Sequence, residues 1–343
     1  MKRIFGLDLI RCLAVIMVIS VHFFLNNGFY ETNINNPEMF ISIFIRWIVY
    51  NGVPLFLLLT GYLKNNDKLE KKYYSKLKTI LISYVFISLI TILVNRFYLN
   101  DKTRILNLIV SIFNFSAIKH AWYIEMYIGL FLLIPFLNIL YNSLKTQENK
   151  KKLIKTLLIL ISIGPIINYI TIDNVKFELI PDWWENLYPI AYFMIGSYIG
   201  EYQPKINKKK NIFILIGLIL IETILVYLYN YNNVYNWNFL GGYASIQTII
   251  ISSIIFLLLY DINCNNKYIV NICKNISILS FNIYLYSFIV ETIVYKLFIE
   301  KFGNINHLSY MPICVILILI ISFILSYLTN IIINKLVPKK ITH

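Results

Sequence analysis

Long apolar runs separated by short polar loops repeat along this chain from one end to the other. An α-helix needs about 20 mostly apolar residues to cross the ~30 Å hydrocarbon core of a bilayer. Ten runs are close to this length, over residues 7–25, 41–63, 79–99, 121–141, 154–171, 187–203, 212–230, 244–260, 277–298 and 312–333. The pattern predicts an all-α integral membrane protein with about ten transmembrane helices. No long polar stretch interrupts it, so we expect a single transmembrane domain over residues 1–343.

Two terminal or short features refine this picture. Lys2 and Arg3 precede the first apolar run as in a signal peptide, but no small-x-small cleavage site follows, so we expect a retained first helix. A further apolar stretch, residues 105–115, is too short to span and is expected to lie at the membrane interface or to re-enter the bilayer.

The basic residues are distributed unevenly between the loops. The net charge is +14, and most of the 31 Lys and Arg residues fall at the N-terminus and in every second loop. This bias predicts that both the N-terminus and the C-terminus face the cytoplasm. Because membrane insertion alone accounts for such an excess, nucleic acid is not an expected partner; the lipid bilayer is. The four cysteines form neither an expected disulfide pair nor a zinc spacing, and no metal is predicted.

Arg11 and His22 are the most informative polar residues, because both lie inside the first apolar run. Ionisable side chains at membrane depth are rare and usually mark function. Their spacing of eleven residues corresponds to about 1100° of helix rotation, within roughly 20° of three full turns, so both share one face about 16 Å apart. Val15 and Val18 lie between them on this stripe. A permanent cation and a group that titrates near neutral pH are thus aligned.

Structural interpretations of these residues stay open. Arg11 could be an anchor at the cytoplasmic end that is neutralised by Asp8, and His22 could be a packed imidazole that bonds a carbonyl. Glu125 follows Trp122 by about one turn and could either orient an imidazole or pair with another helix. Two further carboxylates in apolar runs are interpreted as structural: Glu222 and Glu291.

The run LDLIRCLA at residues 7–14, followed by His22, resembles the first helix of the integral-membrane acyltransferase 3 family, whose hallmark is an arginine and a histidine separated by ten residues. Other family segments are matched in order. They are GVPLF at residues 52–56 with TGYL at 60–63, HAWY at 120–123, residues 192–200, and SFNIYL at 280–285. The resemblance extends from about residue 6 to residue 330.

The chain departs from the family pattern in two places. Many relatives have a histidine after the Tyr-Leu pair of the ninth helix, where this chain has Ser287. The loop before the third helix is usually arginine-rich with a following proline, and here the matching positions hold Lys76, Lys78 and Ser83. Lysine supplies charge for phosphate without the bidentate fork of arginine.

The resemblance implies transfer of an acyl group, most often acetyl from acetyl-CoA, to a hydroxyl of a cell-envelope polysaccharide or lipid-linked sugar, by a multi-pass protein of the bacterial cytoplasmic membrane. His22 is the expected catalytic base, although an acyl-histidine intermediate stays open. The remaining expected site residues have three roles. Arg11 and Glu125 assist His22; Arg11, Lys76 and Lys78 bind the acyl-CoA phosphates; and His120, Trp122 and Tyr123 bind the acceptor.

Two other classes of function are compatible with the sequence. A transporter or exporter of acylated or lipid-linked sugars would use the buried ionisable residues along a conduction path. A non-catalytic membrane scaffold would need neither Arg11 nor His22. The acceptor, the acyl group and the oligomeric state are left open by the sequence.

Overall fold

The computed structural model describes residues 3–168, 171–172, 175–176, 179–237, 240–303 and 307–336. Helices dominate these residues. They are α1 (Phe5–Phe24), α2 (Pro37–Val49), α3 (Gly52–Lys64), α4 (Lys71–Phe97), α5 (Ile105–Phe113), α6 (Trp122–Ser143), α7 (Gln147–Ile167), α8 (Tyr188–Tyr202), α9 (Lys208–Tyr229), α10 (Ile246–Leu259), α11 (Lys267–Phe302) and α12 (Met311–Leu336). Short 3₁₀ turns occupy Lys119–Ala121, Asp182–Leu187 and Leu308–Tyr310. Strands β1 (Thr171–Ile172) and β2 (Val175–Lys176) pair antiparallel between α7 and α8.

Each of the ten predicted segments coincides with helix, so the all-α membrane class is confirmed. Within the described part of the chain, seven helical stretches are long and apolar enough to cross a membrane: Phe5–Phe24, Pro37–Lys64, Lys71–Phe97, Lys119–Ser143, Lys208–Tyr229, Lys267–Phe302 and Leu308–Ile333. The other three predicted segments fall on α7, α8 and the 14-residue apolar helix α10. The count of ten and the orientation of both termini stay predictions, and residues 337–343 lie outside the described part of the chain.

Helices α1, α3 and α11 form the centre of the bundle. Of the most apolar window of α1, 72% is buried, against 22% for α9 and for the Leu308–Ile333 stretch, which contains most of α12. Helix α1 packs against α3 and α11, and α3 packs against α8. The short helix α5 buries only Ile112, as expected of a segment at the membrane interface. The predicted stripe on α1 therefore faces other helices rather than lipid.

The second apolar run is divided into α2 and α3 at Tyr50 and Asn51. The Asn51 side chain donates to the carbonyl oxygen of Trp47 at 2.6 Å, and Pro54 has no backbone N–H for the preceding turn. The break brings Gly52 against α1, where a Cβ atom would lie 2.8 Å from the Ala14 carbonyl oxygen and from a Val18 methyl group. Backbones of α1 and α3 thus approach closely beside the stripe.

Helices α3 and α8 also meet backbone to backbone. A Cβ on Gly61 would clash with the carbonyl of Phe193, and a Cβ on Gly196 would clash with that of Leu58. Gly196 and Gly200 follow the small-xxx-small spacing typical of close helix packing in membranes, and a Cβ on Gly200 would also be crowded, by the Tyr62 backbone.

The substitution Gly196→Ala is expected to destabilise the bundle, because the added methyl group must push α3 and α8 apart. Overpacking of this kind costs about 1–3 kcal/mol. Thermal unfolding of the detergent-purified protein, followed by size exclusion, measures the loss. Gly217→Ala on α9 is the matched control, since a Cβ at Gly217 meets nothing within 4 Å. Equal melting temperatures for the two variants would contradict the close crossing.

Candidate functional site

A carboxylate between two histidines lies where α1, α11 and the turn before α6 meet. The Nδ1 atom of His22 lies 3.1 Å from Oε1 of Glu291, and the Nε2 atom of His120 lies 3.5 Å from Oε2 of the same carboxylate. All three side chains are buried. Bringing an acidic group into an apolar interior is costly unless it is paired and hydrogen-bonded, and here each oxygen has an imidazole partner.

Local structure holds the three groups in place. His22 lies in the last turn of α1, where its backbone carbonyl accepts a 2.7 Å hydrogen bond from the Asn26 side chain. The hydroxyl of Tyr284 on α11 donates to the carbonyl oxygen of His120, which ties the 3₁₀ turn to that helix. Glu291 lies two turns further along α11 from Tyr284. Two helices and one turn therefore converge on a single point.

The contacts with Glu291 leave one nitrogen available on each ring. Because an ionised carboxylate only accepts, His22 donates to it through Nδ1–H, and Nε2 of His120 faces the other oxygen at 3.5 Å. A neutral His22 of this tautomer carries its lone pair on Nε2, where it can accept a proton. In His120 the Nδ1 atom is buried without a hydrogen-bond partner among the described residues. The arrangement can therefore perform general-base chemistry.

The same three residues are of the types that bind divalent metal ions, and their candidate ligand atoms lie within 4.8 Å of one another. The rings of His22 and His120 lie against each other, with centroids 3.7 Å apart and planes tilted by 31°. Ring planes at this spacing and tilt meet only beyond the reach of a Zn–N bond of about 2 Å, so in-plane lone pairs of both rings do not converge on one ion as the ligands of zinc do. The geometry fits a hydrogen-bonded group better than a metal centre.

Arg11 lies at the other end of the α1 stripe and does not pair directly with Asp8. Arg3 takes the Asp8 carboxylate with two hydrogen bonds of 2.5 and 2.8 Å, and Ser277 on α11 donates to it at 2.7 Å. Arg11 donates only to Ser277 Oγ, at 3.5 Å, and no carboxylate of the described residues lies within 4.0 Å of its guanidinium. Its charge is therefore available to an anionic ligand.

A second cation, Lys64, accompanies Arg11. Lys64 ends α3, is largely buried, and lies close enough to Arg11 for the two charges to repel. Its ammonium pairs with Asp67 at 3.2 Å, and the exposed Lys76 reaches the same carboxylate at 3.8 Å. Lys78, by contrast, is exposed on α4, about 200° around the helix from Lys76. Of the two predicted lysines, Lys76 therefore joins the ion pair of Lys64 and Asp67, and Lys78 lies on another face of α4.

Four cavities follow one another along the α1 stripe. The first, of about 350 Å³, lies between Arg3 and Arg11. The Arg11 cavity, of about 270 Å³, shares Arg11 with it and extends to Val18 and Tyr284. A neck cavity of about 20 Å³ shares Val18 and Tyr284 and reaches His22. The His120 cavity, of about 940 Å³, shares His22 and contains His120 and Glu291. His22 is thus reached from both ends of the bundle.

The remaining predicted residues lie at different points along this line. Trp122 lines both the neck cavity and the His120 cavity, next to His120. Tyr123 lines the Arg11 cavity instead, so the structure separates it from the His120 cavity that Trp122 lines. Glu125 is exposed on α6 and lines none of the four cavities; the position expected of it beside an imidazole is taken by Glu291.

Glu291 and Lys64 lie at the candidate site, but the sequence did not predict either as a site residue. Glu291 carried a signal, since it is an ionisable residue in a long apolar segment and lies one turn after Ser287, where many relatives have a histidine. Lys64 directly follows the TGYL segment at residues 60–63, and nothing in that position distinguishes it from the other loop lysines.

Comparisons with known proteins agree with the sequence motifs. The family model described as an acyltransferase domain matches residues 4–327. Curated relatives include the probable poly-beta-1,6-N-acetyl-D-glucosamine export proteins of Staphylococcus aureus strains Mu50 / ATCC 700699 and MSSA476. Each is 25% identical over 304 residues, which cover 83% of this chain and 82% of the relative. No solved structure matches the chain significantly.

Purified protein is expected to hold far less than one equivalent of zinc or other transition metal per chain, because the planes of the His22 and His120 rings do not meet within bonding reach of one ion. Elemental analysis by mass spectrometry after gel filtration in detergent measures the content. An equimolar ion that survives gel filtration, and that is absent from the Glu291→Gln variant, would show instead that the three residues form a metal centre.

Proposed function

The chain belongs to the acyltransferase 3 family, and on that basis we propose that it transfers an acyl group, acetyl from acetyl-CoA, to a hydroxyl of a cell-envelope polysaccharide or lipid-linked sugar. One observation carries the proposal. The cavities form a line from Arg11, which has no carboxylate partner among the described residues, to His22, a histidine positioned as a base. A donor that is anionic at one end and reactive at the other fits this line.

The Arg11 end suits the phosphates of coenzyme A. Arg11 and Lys64 supply two partly buried cations, and the neighbouring Lys76 adds an exposed one. Hydrogen bonds between guanidinium and phosphate are charge-assisted and about twice as strong as neutral ones. Ser277 and Tyr127 add hydroxyl groups to the Arg11 cavity. The long, thin pantetheine arm would extend from this end along the stripe toward His22.

The reaction proposed at His22 is a single acyl transfer. The free ring nitrogen removes the proton of the acceptor hydroxyl as its oxygen attacks the thioester carbonyl carbon. A carbon–oxygen bond forms, the carbon–sulfur bond breaks, and the proton passes to the departing coenzyme A thiolate. Glu291 holds the ring in the required tautomer and stabilises the imidazolium that forms, as the carboxylate does in hydrolase triads. Arg11 assists by holding the donor in register.

The acceptor is proposed to enter the His120 cavity. This cavity is the largest of the four and is lined by polar groups that can bond sugar hydroxyls, such as Asn26, Asn95 and Lys119. Trp122, 40% exposed, offers a ring face beside them. The relatives are named for a polymer of N-acetylglucosamine, which suggests β-1,6-linked N-acetylglucosamine oligomers as the first acceptor to test. The site would operate in the bacterial cytoplasmic membrane, with coenzyme A bound from the cytoplasm.

Export of a glycan is the second candidate, favoured by the names of the relatives. The dimensions of the neck cavity oppose it: about 20 Å³ accommodates roughly one water molecule, and a sugar ring is several times larger. Uptake of labelled oligosaccharide into vesicles that contain the purified chain, without any acyl donor, would favour export. Transfer of label from acetyl-CoA to the oligosaccharide, without uptake, would favour acyl transfer.

The substitution His22→Ala is expected to lower acetyl transfer to the oligosaccharide about 10²–10⁴-fold, the usual contribution of a general base. Radiolabelled acetyl-CoA and the detergent-purified protein provide the assay. His307→Ala is the matched control, since His307 is exposed and lines none of the four cavities. Full activity of a correctly folded His22→Ala protein would remove His22 from the mechanism without affecting the family assignment.

The substitution Arg11→Gln is expected to raise the KM for acetyl-CoA about tenfold to hundredfold with a smaller effect on kcat. The variant loses a charge-assisted bond worth about 1.5–3 kcal/mol. Arg104→Gln removes an exposed arginine that lines none of the four cavities and serves as the control. If instead the KM were unchanged and kcat fell, Arg11 would act on the reacting atoms rather than on donor binding.

A further inference from the structure

We infer that the neck cavity is a size filter for the acyl group, which admits acetyl and rejects longer chains. The inference rests on the proposed function, because it assigns the neck cavity to the acyl end of the donor. Three side chains separate this cavity from the Arg11 cavity: Val18, Val53 and Tyr284. A thioester that comes from Arg11 must pass them before its carbonyl carbon can meet the acceptor at His22.

The dimensions define the filter. The neck cavity measures about 20 Å³, between neighbours of about 270 and 940 Å³. About 10–15 Å³ is enough for one water molecule. Without movement of its walls, the neck cavity therefore has room for one or two heavy atoms beyond the carbonyl carbon. Each further methylene would have to displace the walls. In a close-fitting site, one extra methylene group on the substrate changes the ratio of kcat/KM between the two substrates about 10- to 200-fold.

The walls are built so that they resist displacement. Val18 and Val53 are buried on α1 and α3, and α3 packs so closely on α1 that a Cβ on Gly52 would lie 2.8 Å from a Val18 methyl group. These helices cannot approach or slide without a collision at that point. Close-packed interiors respond to an added group with strain rather than with smooth expansion.

Aromatic rings close the opposite wall. Tyr50 and Tyr243 stack with centroids 4.7 Å apart at 13°, and Trp122 stacks on Tyr243 at 5.9 Å and 20°. All three rings line the neck cavity. Because both walls consist of side chains already packed against other groups, an acyl chain cannot find extra room by a simple rotamer change on one side. The filter therefore depends on both walls together.

The test compares Val18→Ala with Val15→Ala. Both valines are buried on α1, but Val15 lines none of the four cavities, so the pair separates a wider neck from a general loss of packing. The full chain in detergent is assayed with acetyl-, propionyl-, butyryl- and succinyl-CoA and with β-1,6-linked N-acetylglucosamine oligomers. The quantity compared is the ratio of kcat/KM for acetyl over each longer donor.

Wild-type protein is expected to prefer acetyl over butyryl by about 100-fold or more, and Val18→Ala to reduce this preference at least about tenfold. Val15→Ala should leave the ratio unchanged. If Val18→Ala does not fold, Val53→Ala tests the same wall from α3. Equal use of butyryl or succinyl by the wild type, or the same shift in Val15→Ala, would overturn the filter alone. Absence of transfer from every donor would overturn the proposed function and the filter with it.

Discussion

The contact of the buried Glu291 carboxylate with two histidines is the constraint on which the candidate site depends. A buried carboxylate without partners would destabilise the bundle by several kcal/mol, so α11 is stable in this position only if imidazoles meet both oxygens. One imidazole comes from the end of α1 and the other from the turn before α6. Because the acid requires these partners, the position of His22 in the bundle and the orientation of its ring are set by the same interaction. The free nitrogen of His22 is a consequence of that pairing.

At the other end of α1, Arg3 and Arg11 both lie near the carboxylate of Asp8, and only Arg3 pairs with it. Asp8 lies one turn from Arg11 on the same helix, yet Arg3 and Ser277 occupy its oxygens. Arg11 is left with one long bond to a hydroxyl. A cation without a carboxylate in a largely apolar bundle is costly, and such residues are usually kept because a ligand uses them. The two ends of the stripe thus differ. At one end Glu291 contacts the proposed base, His22, and at the other end Asp8 bonds Arg3 and Ser277 instead of Arg11.

Sequence periodicity predicted the helices and the shared face of Arg11 and His22, because both follow from the local geometry of one helix. Gly196 and Gly200 have a spacing that is typical of close helix packing in membranes, and α3 and α8 do cross closely at these residues. Partners across the bundle could not be predicted in this way. Glu291 lies 269 residues from His22, and its choice over Glu125 depends on which face of α6 packs inward. The preference of Asp8 for Arg3 depends on Ser277, which arrives from α11. Tertiary packing decides which of several similar residues become partners, and the local pattern of one sequence does not predict that packing.

A site that is reached from both ends of a bundle poses a problem for the membrane that contains it. A continuous water-filled passage would let ions cross, and the hydrocarbon core excludes them only where the protein is densely packed. The close approach of α1 and α3 at Gly52 reduces the passage to the neck cavity, about 20 Å³, beside His22. The same packing that would select a small acyl group would therefore also keep the bilayer sealed. Both selectivity for a small acyl group and the barrier to ions require these walls to stay close together. A wider neck would therefore admit longer acyl groups and also weaken the barrier to ions.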